Sequence, residues 1–95
     1  MNYVPVLKEF CQFAIDSSGL VDVVSIKMDS DIIELTSATR TQKITMTDTG
    51  CHVVDNGEDL GFRLKPIDLA DVAALVVSRH VKDILAKEIK EEYKR

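Results

Sequence analysis

Ninety-five residues carrying a net charge of −4 and a pI near 5.0 set the first limits. That length supports a single domain, residues 1–95, with one core, and a 45% apolar composition argues against wholesale disorder. The acidic balance lacks the basic field from which nucleic-acid binders draw their affinity, and the longest apolar run, Val72 to Val77, is far too short for a membrane span.

Residues 5–18 read as a helix. Val6, Leu7, Phe10, Cys11 and Ala14 recur at helical spacing and predict the buried face. Lys8, Glu9, Gln12 and Asp16 take the other side, with Phe13 at the margin. Pro5 suits a first turn, and Gly19 is a natural stop. There is no Trp, so Phe10, Phe13 and Phe62 are expected to be the largest pieces of a core built from Val, Ile, Leu and Ala.

From residue 20 the pattern changes to short β-rich runs separated by turns. Leu20–Met28, Ile32–Thr36, Arg40–Thr47, Cys51–Asp55 and Asp59–Leu64 are the five runs. In the third, Gln42, Ile44 and Met46 share the inward face, while Thr41, Lys43, Thr45 and Thr47 share the outer one. In the fifth, Leu60, Phe62 and Leu64 are expected to alternate inward. Asp29-Ser30-Asp31 and Asp48-Thr49-Gly50 are turns, and Asn56-Gly57 is a strong two-residue hairpin signal. Breaks this short force neighbouring strands to be antiparallel, because parallel pairing needs a long crossover. The middle of the chain is therefore a meander of four or five strands.

Residues 66–94 read as a second helix, opened by Pro66 and Asp68 with Asp71 in its first turn. Its later half offers the i,i+4 pairs Asp83–Lys87, Lys87–Glu91 and Glu91–Arg95. At about 100° per residue, Leu69, Val72, Ala73 and Val76 fall on one face. Val81, Ile84, Leu85 and Ile89 fall on another, roughly a third of a turn away. Either the helix bends near Ser78–His80 so that both stripes meet one core, or it runs straight and its second half faces the N-terminal helix, packed antiparallel on it, or a second copy of the chain. A straight helix from 69 to 93 is about 37 Å long, whereas a compact chain of this size has a radius of gyration of about 12–13 Å. An overhanging apolar stripe asks for a partner.

The fold expected is α+β: N-terminal helix, antiparallel meander, long C-terminal helix, with both helices on one face of the sheet.

Candidate chemistry is sparse. Asp48-Thr49-Gly50 resembles the active-site triplet of retroviral-type aspartic proteases, in which paired aspartates share a proton. The resemblance covers three residues, and Thr45 and Thr47 stand where that family has an apolar strand. The triplet is read as a turn. Cys51 and His52 are adjacent on a strand and so point to opposite faces. Cys11, Cys51, His52 and His80 lack the paired spacing of zinc ligands. Neither Asp29–Asp31 nor Glu58-Asp59 supplies a calcium loop, and the glycines at 19, 50, 57 and 61 form no phosphate cradle. His80 is expected at the core margin, neutral and hydrogen-bonded.

No metal, cofactor or nucleic acid is therefore expected. Two cysteines are too few for a disulfide framework, and no secretory h-region follows Met1, so a cytoplasmic chain with free, buried thiols is expected. The preferred reading is a non-enzymatic interaction protein that self-associates as a homodimer through its C-terminal helix. It would act as adaptor, chaperone or inhibitor of a larger partner. Val77, Val81, Ile84, Leu85, Ile89 and Tyr93 are its candidate partner-binding residues. The alternative is a small enzyme with a site at a dimer interface, using Asp48, Cys51, His52 or His80.

Overall fold

The first helix ends where its glycine stands. In the computed structural model, which describes residues 3–48, 50–63 and 68–93, α1 spans Val4–Ser17 with Pro5 in its first turn. Gly19 takes a φ of +71°, the left-handed region open to glycine. The Leu20 N–H then donates to the Ile15 carbonyl at 2.9 Å and the Gly19 N–H to that of Asp16 at 3.1 Å. This is the Schellman closure, and the buried Ile15 and Leu20 supply the apolar contact that accompanies it.

The same turn corrects the first strand. The Leu20 carbonyl accepts from Val23 and Val24 N–H groups, so residues 20–24 are turn backbone. β1 begins only at Ser25 and runs to Asp29.

Four strands then follow: β2 Ile32–Thr36, β3 Thr41–Thr47, β4 Gly50–Asp55 and β5 Glu58–Arg63. Every neighbour in the sheet is a neighbour in sequence, and every pairing is antiparallel. Asn56 and Gly57 both adopt positive φ, as a type I′ turn requires. The register aligns Ile33, Ile44 and Val53 across three strands, and Leu35, Gln42 and Asp55 beside them. These two rows form the inward face, and all six residues are buried.

A bulge between β4 and β5 breaks the expected alternation. Val53 pairs with Gly61 but Val54 with Asp59, which leaves Leu60 as the extra residue. The register then sets Phe62 against the outward-facing His52 rather than against the inward-facing Cys51. Gly61, at φ +97°, makes the bend possible. Leu64, Pro66 and Thr49, and the side chains of Phe62 and Tyr93, lie outside the described residues.

α2 spans Leu69–Tyr93 without a break. The expected fork at Ser78–His80 thus resolves as a continuous helix. Both helices cover the inward face of the sheet and pack on each other. Leu69, Val72, Ala73, Val76 and Val77 enter the core with Val4, Leu7, Cys11 and Ile15 from α1. Beyond Ile84 the side chains of α2 turn to solvent, and the molecule stretches to 52 Å along its long axis against 24 and 21 Å across.

The core also corrects the reading of α1. Its buried line is Val4, Leu7, Cys11 and Ile15, at helical spacing. Val6, Phe10 and Phe13 lie outside it, Phe13 at 72% exposure. The apolar arc of α1 is wider than the strip that the sheet and α2 can cover. Phe10 and Phe13 are therefore surface residues, and aliphatic side chains fill the interior. No described helix is long and apolar enough to cross a membrane.

Candidate functional site

Two features stand out from this frame: a polar cluster beneath the middle of α2, and two uncovered apolar stripes.

The polar cluster begins with Gln42, an inward-facing residue of β3 that is fully buried. Its Nε2 donates to the Val76 carbonyl on α2 at 2.8 Å. That bond fixes the amide, so its Oε1 faces His80 Nε2 at 2.7 Å and must accept from it. The proton of His80 therefore sits on Nε2. Nδ1 is left as the acceptor for the Ser37 hydroxyl at 3.1 Å. His80 is 1% exposed, and burial, followed by the charge of Arg40, holds its pKa below the ordinary histidine value. A neutral, doubly hydrogen-bonded imidazole is what such a position requires.

Beside it, Arg40 forks onto Asp83, with Nε to Oδ2 at 2.8 Å and a terminal nitrogen to Oδ1 at 2.9 Å. Its other terminal nitrogen donates to Asp55 Oδ2 at 2.6 Å. Arg79 reaches the same oxygen at 3.0 Å. Asp55 is buried, and its Oδ1 has no hydrogen-bond partner among the described residues. Hydrogen bonds to Asp83 and Asp55 raise the pKa of Arg40, while the Arg40 bonds lower that of Asp83, helped by the Thr39 hydroxyl at 3.1 Å. Asp83 thus bonds Thr39 and Arg40 of the β2–β3 turn rather than forming the expected Lys87 pair.

The sequence builds this cluster locally. The Ser37 N–H donates to the Arg40 carbonyl, closing the β2–β3 turn. The Asn56 side chain ties that turn to the β4–β5 hairpin by accepting from the Thr41 N–H at 2.8 Å and donating to the Thr39 carbonyl at 3.3 Å. Val76, Arg79, His80 and Asp83 lie at helical spacing on the facing side of α2. Sequence reasoning did not find Arg40, Asp55, Arg79 or Gln42 as a group. The available signals were a glutamine on an inward strand face and an Arg-His-x-x-Asp run on a helix. Chemically, the cluster is a latch that fixes α2 on the sheet, and its Ser37–His80 pair borders a cleft of about 140 Å³.

The other candidate residues do not converge. Asp48 is exposed beyond the far end of β3. His80 meets β3 at Gln42, so the two are separated by roughly 20 Å at about 3.3 Å per strand residue. Cys51 is buried at the Asp48 end, opposite Met46. His52 lies on the outer face with Nε2 at 2.8 Å from Asp59 Oδ1. The Gly61 N–H, first, and His52, next, lower the pKa of Asp59. Burial pushes the Cys11 thiol up to about 12. Among the described residues, no group of three or more His, Cys, Asp or Glu could hold a metal.

The apolar stripes are on the helices. On α2, Val77 joins the core, so it belongs to no outer stripe. Val81 and Ile84 pack partly against the core. Leu85 and Ile89 are 52% and 53% exposed on the overhang. On α1, Val6, Phe10 and Phe13, with Glu9 beside them, form an open apolar face of the helix. The sequence did not point to this face as exposed, because the pattern assigned Val6 and Phe10 to the buried side and Phe13 to its margin.

Comparison with protein-family models, with curated proteins and with solved structures finds no match for this chain.

Proposed function

We propose that this chain is a non-enzymatic protein–protein interaction module that self-associates through the outer part of α2, working as an adaptor, chaperone or inhibitor of a larger protein. The observation that carries the reading is the overhang. Leu85 and Ile89 stand about one turn apart, half exposed, on a helix that outruns the sheet beneath it. Isolated helix ends of this kind gain little from propensity alone and draw stability from packing. Size-exclusion chromatography with light scattering tests it. A dimer is expected, with Ile89→Asp giving a folded monomer whose unfolding midpoint no longer rises with protein concentration. A wild-type chain that stays monomeric at high concentration overturns the reading.

A second reading, a small enzyme with a site completed at a dimer interface, draws support from one contact. The Ser37 hydroxyl rests on the unprotonated nitrogen of His80 at the edge of a cleft, which is the relation of a nucleophile to its base. Turnover of p-nitrophenyl acetate that disappears in Ser37→Ala would favour it. Turnover that survives that change would remove it.

A further inference from the structure

We infer that the exposed α1 face is covered by the α2 overhang of a second copy, docked reciprocally so that each chain gives its overhang to the other's α1 face. The inference rests on the self-association reading and specifies its geometry.

Area decides between the possible pairings. The α1 stripe of Val6, Phe10 and Phe13 exposes on the order of 300 Å² of apolar surface, given side chains of about 150–250 Å² and their fractional exposures. Leu85 and Ile89 add about 200 Å² on the same basis. A contact between two α1 stripes would bury about 600 Å², and one between two overhangs about 400 Å², each well under the roughly 1,200 Å² of a stable interface. The reciprocal pairing uses both stripes of both chains. It buries about 1,000 Å² of apolar surface, and the polar rim carries it to that threshold. It also closes under a two-fold axis, so no stripe is left to propagate a fibre.

Charge sets the direction. At 100° per residue, Glu9 and Asp16 line one edge of the α1 stripe, and both are exposed. On α2, Lys82 lies along one edge of the Leu85–Ile89 stripe, with Glu88 and Glu92 on the other. Right-handed helices facing one another in parallel bring the acidic edge of α1 against the basic edge of the partner's α2. Antiparallel packing would set it against Glu88 and Glu92, which repels. The overhang therefore lies parallel to α1 of the other chain.

Substitution tests this directly, because all the substituted positions are exposed and leave the core alone. Phe13→Asp and Ile89→Asp should each yield a folded monomer in light scattering, because in a symmetric dimer either change damages both contacts. Glu9→Lys should weaken the dimer at low salt, and Lys82→Glu added to it should restore the affinity. A wild-type monomer would overturn both this inference and the self-association reading. A dimer that Ile89→Asp dissociates but Phe13→Asp does not, or a loss on Glu9→Lys that Lys82→Glu fails to restore, would overturn the reciprocal geometry and leave self-association standing.

Discussion

Replacing Gln42 with Leu removes the side chain that joins β3 to α2 twice. The wild-type amide donates to the Val76 carbonyl and accepts from His80, both with full burial. Leucine has a similar volume, so the change is chemical rather than steric. Each lost bond is worth about 1 kcal/mol, and the His80 N–H, stranded without water, adds about 1–3 kcal/mol. Extra apolar burial offsets part of this, which leaves an expected loss of about 2–4 kcal/mol. A domain of this size has roughly 5–15 kcal/mol in all, so the midpoint of urea unfolding should fall sharply with its slope unchanged. The companion variant His80→Leu strands the Gln42 carbonyl in the same way. With both changes no polar group is stranded between them, so the double variant should be more stable than the two losses combined predict, by at least about 1 kcal/mol. A Gln42→Leu cost under about 0.5 kcal/mol, or strict additivity in the cycle, would refute the latch.

Arg40 and Arg79 should differ although both reach Asp55 Oδ2. Arg40→Ala leaves Asp83 without its fork and the buried Asp55 with Arg79 alone, an expected cost of about 2–4 kcal/mol by chemical denaturation. The Arg79 side chain is one-third exposed, so Arg79→Ala should cost about 1 kcal/mol or less; equal costs would contradict the arrangement. His80 gives the pH dependence. Its folded pKa is depressed, so the unfolded chain binds the proton first, near pH 6.5. Its contribution is intact above that pH and is lost as pH falls through the folded value, at no more than about 1.4 kcal/mol per pH unit. Stability should therefore drop between pH 7.5 and 5.5, and His80→Gln should flatten the drop. The depressed aspartates, Asp83 and Asp59, act in the same direction but only below about pH 4.

Local chemistry settled much of this protein before any tertiary contact. Gly19 ended α1, Asn56-Gly57 turned β4 into β5, and the short breaks between runs made every strand pair antiparallel. These features depend on backbone conformation and loop length, which a few neighbouring residues determine. Alternation placed Gln42, Ile44 and Met46 on the inward face for the same reason. Tertiary structure decided what periodicity leaves open. The apolar arc of α1 could have buried Val6 and Phe10 or Val4 and Ile15. The strip covered by the sheet and α2 chose the second, and so left Val6, Phe10 and Phe13 on an exposed face. The bulge at Leu60 reset the last strand by one residue, which no alternating pattern records. The two stripes of α2 needed no kink. The latch of Gln42, His80, Arg40 and Asp55 holds the helix at the turn where its face changes from core to solvent. Its members come from β3, the β2–β3 turn, β4 and α2, so only the fold brings them within hydrogen-bond reach.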